Sequence, residues 1–222
     1  MNVQPNDLSA THLCNESLGE IGDAERTRMR RLTAEKMREL FDILHIDHSN
    51  DHNTRDTPER VARMLVDDLL HGRYTAPPRI TGFDNANQYD QLIVTGPIAV
   101  RSTCAHHLMP IYGHAFIAVV PDADGKIIGL SKYDRIVEYF SSRLQIQEEL
   151  VQQIGDYLVA HTSPKGLAVR VSAVHMCRTH RGVRATQNGR MVNAYYHGDM
   201  KSDPGLRAEF LDECRALEPH GG

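Results

Sequence analysis

The sequence contains no tryptophan, and aromatic residues make up only 6% of its 222 positions, so burial must come mainly from aliphatic side chains. Cysteine is scarce as well. Cys14, Cys104, Cys177 and Cys214 are too few and too scattered for the disulfide framework of a small secreted protein, which points to a reducing, cytoplasmic setting. No stretch approaches the roughly 18 apolar residues of a membrane helix, and the N-terminus lacks the basic start and apolar segment of a signal peptide. Positive charge is not in excess: 25 Lys and Arg face 29 Asp and Glu, for a formal net charge of -4. That balance argues against a non-specific nucleic-acid binder. The remaining composition, 41% hydrophobic and 24% charged, is that of an ordinary globular protein with enough chain to bury a core.

Polar residues 1–22, broken by Pro5 and Gly19, read as a mobile N-terminal arm. From Asp23 to Ile46, Met29, Leu32, Met37, Leu40, Phe41 and Leu44 recur at helical spacing and predict an amphipathic helix. "TPERVARMLVDDLLHG" predicts a second, with Thr57 as N-cap, Pro58 at the first helical position and Gly72 as the stop. These helices define an N-terminal helical region over 23–90. Residues 91–222 then alternate strand pairs and helix pairs. "YDQLIVTGPIAVRSTC" and "IYGHAFIAVVP" read as strands, "SKYDRIVEYFSSRL" and "IQEELVQQIGDYLVAHT" as helices, and the first of these helices opens on a Ser131/Asp134 capping box. "GLAVRVSAVHMC" is a strand ending on Cys177, "RMVNAYYHGDM" another, and a helix begins at Asp203 and Pro204. The order predicts an α+β fold, an antiparallel sheet with helices on one face.

The chemistry gathers in two places. In "RSTCAHHLMP", Cys104 and His107 are three apart, a spacing that lets one turn offer a thiolate and an imidazole to a single cation. In "VHMC", His175 and Cys177 share a strand face, and Cys177 is the more plausible third ligand. Three such ligands with a fourth position open to water are the pattern of a catalytic zinc site, which makes hydroxide available near neutral pH. Spacing leaves open whether His106 or His107 binds metal. Whichever does not, together with His175, is a candidate acid or base. Gly129 and Ser131 precede a helix whose first turns carry Lys132 and Arg135, a place suited to a polyanion. Arg178, Arg181 and Arg184 follow Cys177 and fit a phosphate-bearing substrate. Gln147, Glu148 and Glu149 offer amide and carboxylate groups, and a carboxylate can accept two hydrogen bonds from an N–H-rich ring such as guanine.

Taken in order, "TPER", "STCxHH", "GLSKxxRIV", "QIQEEL" and "VHMCxxxRGV" resemble the GTP cyclohydrolase I family from about Thr57 to the C-terminal helix. The resemblance implies a tunnelling fold and a cytoplasmic hydrolase. It would open the imidazole ring of GTP and reclose it as 7,8-dihydroneopterin triphosphate, releasing formate, in the one-carbon metabolism that leads to folate-type pterins. It implies zinc held by Cys104, His107 and Cys177, with His106 protonating the ring nitrogen, His175 assisting ring opening at the ribose and Ser131 at the site. Glu148 would anchor the guanine edge with Gln147 beside it. Lys132, Arg135, Arg181, Arg60 and Arg63 would join Ser131 in binding the triphosphate. The partners implied are GTP and further copies of the chain, in a toroidal decamer with interfacial active sites, and neither nucleic acid nor membrane.

Two departures stand out. Ala105 occupies the position between Cys and His pair where the family usually has an acidic residue, and "RATQNGRMVNAYYHG" replaces a Ser/Thr-rich strand. They leave two alternatives open: a divergent enzyme that opens a purine ring without completing the pterin or takes another nucleotide, and a non-catalytic nucleotide-binding assembly protein.

Overall fold

The computed structural model describes residues 12–218, and the chain divides into two compact units between Ala76 and Pro77. This division falls ahead of the expected boundary at residue 90. The cause is a strand not foreseen, β1 (Gly82–Asp84), which pairs antiparallel with β4 (Lys126–Ile128) and so belongs with the second unit.

In the first unit, α1 spans Asp23–Ile43, α2 Thr57–Arg63 and α3 His71–Tyr74. α1 stops short of Ile46 because His45 adopts a left-handed φ of 55°. Thr57 is not the cap of α2: Asp56 holds that position, without a side-chain cap bond. Nor does the helical run simply end at Gly72. Over Met64–Leu69 the backbone widens into a π-turn, in which the Leu70 N–H bonds the Leu65 carbonyl at 3.1 Å, and helix resumes at His71. Gly72 is therefore buried inside α3. Residues 1–11 of the expected arm lie outside the described residues. Residues 12–22 run along α3, where the Leu18 and Ile21 N–H groups bond the Arg73 and Tyr74 carbonyls at 2.7 and 3.1 Å.

The second unit is built on a five-stranded sheet in the order β5-β2-β3-β6-β7. Its members are β2 (Ile93–Cys104), β3 (Pro110–Val120), β5 (Leu144–Gln145), β6 (Gly166–His175) and β7 (Arg190–Gly198). All pairings are antiparallel except the two-residue contact of β5 with β2, where Thr103 and Cys104 face Leu144 and Gln145. Along β3 the side chains alternate between faces. Ala115, Ile117 and Val119 pack against the helix pair α4 (Leu130–Ser141) and α5 (Gln147–Thr162), through Ile136, Val137, Ile154 and Leu158. Phe116, Ala118 and Val120 pack with Phe210 and Cys214 of α8 (Pro204–Leu217). The α+β architecture and the helix pair on one face are present, and α8 adds a cover on the opposite face.

α8 begins as expected, its cap Asp203 accepting from the Gly205 and Leu206 N–H groups ahead of Pro204. The expected capping box of α4 does not form: Gly129 is the cap, no side chain bonds it, and Ser131 sits exposed in the first turn. β6 also ends earlier than expected. After His175 the chain turns into the single-turn helix α6 (Met176–Thr179), so Cys177 is helical and does not share a strand face with His175. α7 (Asp199–Ser202) links β7 to α8.

Candidate active site

The turn that follows β2 explains how one short segment presents several ligand-type side chains. The Cys104 N–H donates to the Met109 carbonyl at 2.8 Å and the Leu108 N–H returns to the Cys104 carbonyl at 2.9 Å, with Leu108 in a left-handed conformation at φ 54°. The Ala105 N–H donates to the Gln145 carbonyl of β5 at 3.0 Å, so the neighbouring strand anchors the turn through its backbone. Cys104 is buried at the end of β2 while His106 and His107 are exposed.

α6, entered from β6, places Cys177 beside that turn. Ligand atoms of Cys104, His107 and Cys177 all lie within 4.8 Å of one another. His107, not His106, joins the two thiols, and the His106 ring stands 6.3 Å from that of His107 at 81°. Burial first, then a hydrogen bond with the Cys104 thiol, pushes the Cys177 thiol up from its ordinary range, with Arg181 pulling the other way. Two sulfurs and one imidazole within reach of a single centre are the donor set that zinc favours. A bound cation would also displace the proton that burial holds on the Cys177 thiol. The residues therefore fit a metal ion.

His175, at the end of β6, is half-buried and its Nε2 lies 2.8 Å from Gln147 Oε1. Burial, its first cause, and the Arg178 charge lower its pKa, while the Glu148 charge opposes them. Glu148 is exposed in the first turn of α5, near enough to act on that imidazole. Its neighbour Gln147, expected beside a guanine edge, is placed differently. It is only 1% exposed, and its amide nitrogen is directed at the Val171 and Met191 carbonyls and Asn193 Oδ1. Both ends of its amide are thus engaged within its own unit.

Among the anion-binding candidates, Ser131 and Arg135 are exposed on the first turns of α4, and the Lys132 ammonium donates to the Arg79 carbonyl at 3.1 Å. Arg181 is exposed in the loop after α6, and its charge reaches Cys177. Arg60 and Arg63 lie on α2 in the other unit. There they line a cavity of about 580 Å³ with Arg30, Arg31 and Arg38. Sequence reasoning missed Asn193 altogether. A lone Asn in a strand pattern carries no signal of a partner 46 positions away.

The chain matches the family model of GTP cyclohydrolase I over residues 33–215. It is 41% identical over 180 residues to GTP cyclohydrolase 1 of Shewanella sp. (strain ANA-3), a match covering 81% of this chain and 82% of that protein. GTP cyclohydrolase 1 of Shewanella denitrificans (strain OS217) is likewise 41% identical over 180 residues, with 81% of each chain covered. The crystal structure of apo archaeosine synthase QueF-Like is similar at a TM-score of 0.38 and 13% identity, over 50% of this chain and 94% of that one.

Proposed function

The chain belongs to the GTP cyclohydrolase I family of hydrolases, and from that membership we propose that it opens the imidazole ring of GTP and recloses it as 7,8-dihydroneopterin triphosphate, with release of formate. The observation that carries the proposal is the convergence of Cys104, His107 and Cys177 inside the segment that matches the family. Those three residues hold a zinc ion. Zinc, when bound, supplies the Lewis acidity that activates water near neutral pH.

The remaining work falls to the chain's own side chains. His106, next to the ligand but outside the cluster, delivers a proton to the ring nitrogen, and His175 moves one during opening at the ribose. The Glu148 carboxylate accepts two hydrogen bonds from the guanine edge, an arrangement that favours guanine over bases lacking that pair of donors. Ser131, Lys132, Arg135 and Arg181 bind the triphosphate at the start of α4, where backbone N–H groups reinforce the side chains. Arg60 and Arg63 contribute to the same anion in an assembled homo-oligomer, a toroidal decamer with shared sites. The exposed Leu40 and Ile43 of α1 and Leu44 just beyond its end support association. So does β7, a terminal strand of its sheet whose outer edge has no strand partner among the described residues. No described helix is long and apolar enough to cross a membrane, and all four cysteines are free, in keeping with work in the reducing cytoplasm.

The test is to incubate zinc-loaded protein with GTP and to follow formate and, after oxidation, pterin fluorescence. Equimolar formate and pterin are expected. Cys177→Ser is expected to lose zinc and to retain less than about 1% of turnover, more than the loss typical when an outer partner of a ligand is removed. Formate without pterin would replace the proposal with simple ring opening. Nucleotide binding with neither product would leave a non-catalytic binder.

A further inference from the structure

We propose that Gln145 is a positioning residue for the metal-binding turn: its buried amide locks β5 to α4 and α5, and its backbone carbonyl holds the turn that carries His107. The proposal rests on the reading of Cys104, His107 and Cys177 as a zinc site.

β5 consists of Leu144 and Gln145 alone, and it pairs with β2 only at Thr103 and Cys104. So short a ladder does not fix its own position. A side chain fixes it instead. Gln145 is 0% exposed, and its Nε2 donates to the Phe140 carbonyl at 2.8 Å and to Gln153 Oε1 at 2.9 Å. An amide nitrogen carries two hydrogens, and these two acceptors match them one to one. Phe140 belongs to the last turn of α4, where carbonyls lack partners within the helix, so Gln145 helps to close that end. Gln153 lies on α5. One buried side chain thus ties β5 to both helices of the pair.

The backbone of the same residue reaches the site. Its carbonyl accepts from the Ala105 N–H at 3.0 Å, and Ala105 stands between Cys104 and the two histidines. Cys104 has other support, because β2 is paired with β3 as far as Thr103 and Pro110, and Ser102 Oγ donates to the Ser141 carbonyl of α4 at 2.7 Å. His107 has less. It is exposed, and among the described residues its ring meets only that of His106. Its place beside the thiols follows from the backbone of the turn, which the Leu108 N–H closes onto Cys104 and the Gln145 carbonyl holds at Ala105. Because the Gln145 amide is enclosed, water cannot replace a lost acceptor, and an unpaired hydrogen there is penalised. Loosening this amide therefore frees the imidazole before the thiols.

The experiment compares wild type, Gln145→Leu, Gln153→Leu and Gln153→Glu, each as the full chain. Zinc affinity is measured by competition with a chromophoric chelator, and the cobalt-substituted proteins are compared by absorption spectroscopy. Gln145→Leu is expected to weaken zinc binding about 10- to 100-fold, the range typical when a group that orients a metal ligand is lost. In its cobalt form the thiolate charge-transfer band should persist, while the d–d bands lose intensity as water takes the place of the imidazole. Gln153→Leu leaves one amide hydrogen unpaired and should weaken zinc binding about tenfold. Gln153→Glu keeps an acceptor oxygen for Gln145 and should recover most of that loss. A role limited to packing would lower stability to urea without moving the affinity or the spectrum. Unchanged zinc affinity in Gln145→Leu, or a Gln153→Glu protein no better than Gln153→Leu, would each overturn the proposal. Should Gln145→Leu fail to fold, the two Gln153 variants decide it. A wild type that binds neither zinc nor cobalt would overturn the reading of the cluster and the proposal together. Zinc bound without formate release from GTP would overturn the functional reading alone.

Discussion

α1 and α5 are both long helices, yet α1 buries only Ala34 and Phe41 along its 21 residues, whereas α5, with 16, buries Gln147, Leu150, Val151, Ile154, Gly155, Leu158 and Thr162. The difference lies in what covers them. α5 packs onto the sheet of its own unit, while α1 keeps Leu40 43% exposed and the residue at its C-terminal cap, Leu44, 55%. An apolar stripe at helical spacing predicts that a helix forms and which side is greasy. It does not say whether the cover comes from the same chain. Matching substitutions in the two helices can sharpen this comparison, because an identical change should have unequal effects.

The largest effect is expected at Leu158, which is fully buried in the core between α5 and the sheet. Leu158→Ala leaves a cavity there and should destabilise the second unit by about 2–5 kcal/mol, measured by urea denaturation with unchanged slope. Next comes Gly155. A Cβ at this position would stand 2.4 Å from the Tyr195 ring, so glycine is what lets α5 lie directly on β7. Gly155→Val should cost about 1–3 kcal/mol through overpacking. It should also lower turnover, because the same helix–strand approach holds Gln147 against Asn193. Normal activity in a destabilised Gly155→Val protein would separate the packing of α5 from its catalytic setting.

How much of this was legible in the sequence depends on the range of the contacts. The spacing of Cys104 and His107, the Asp203 cap and the major helices are local, and they stand in the structure where the pattern puts them. Which histidine joins the thiols was not legible in the spacing, and only the family resemblance named His107, since the choice follows from a left-handed Leu108 and an anchor on Gln145 that no spacing rule contains. The strand reading of Cys177 failed for a related reason: apolar alternation runs through His175 into Met176, and only the tertiary structure shows the turn into α6. Gln147 is the sharpest case. On composition it resembles a solvated residue at a helix start, and its burial is explained only by acceptors 24, 44 and 46 positions away. Short pairings such as β1 with β4 and β5 with β2 have too few residues to produce a periodicity at all.

The smallest effect on folding is expected at Leu44, and there the comparison separates stability from assembly. Leu44 is 55% exposed near the C-terminal end of α1, so Leu44→Ala removes little buried surface within the chain. Its effect on unfolding should stay within about 0.5 kcal/mol, as for other surface substitutions. If a second copy covers this stripe, the same residue is buried in the assembly, and its truncation weakens each subunit contact by the area withdrawn from water, at about 25 cal/mol per Å². Leu44→Asp goes further, since an uncompensated carboxylate would have to be desolvated for the subunits to meet. Light scattering on size-exclusion fractions should therefore show wild type as an oligomer, Leu44→Ala dissociating on dilution and Leu44→Asp as smaller species. Circular dichroism should remain unchanged throughout. An oligomer unaffected by Leu44→Asp would mean that the stripe on α1 is not an interface, and that the low burial of this helix has nothing to do with assembly.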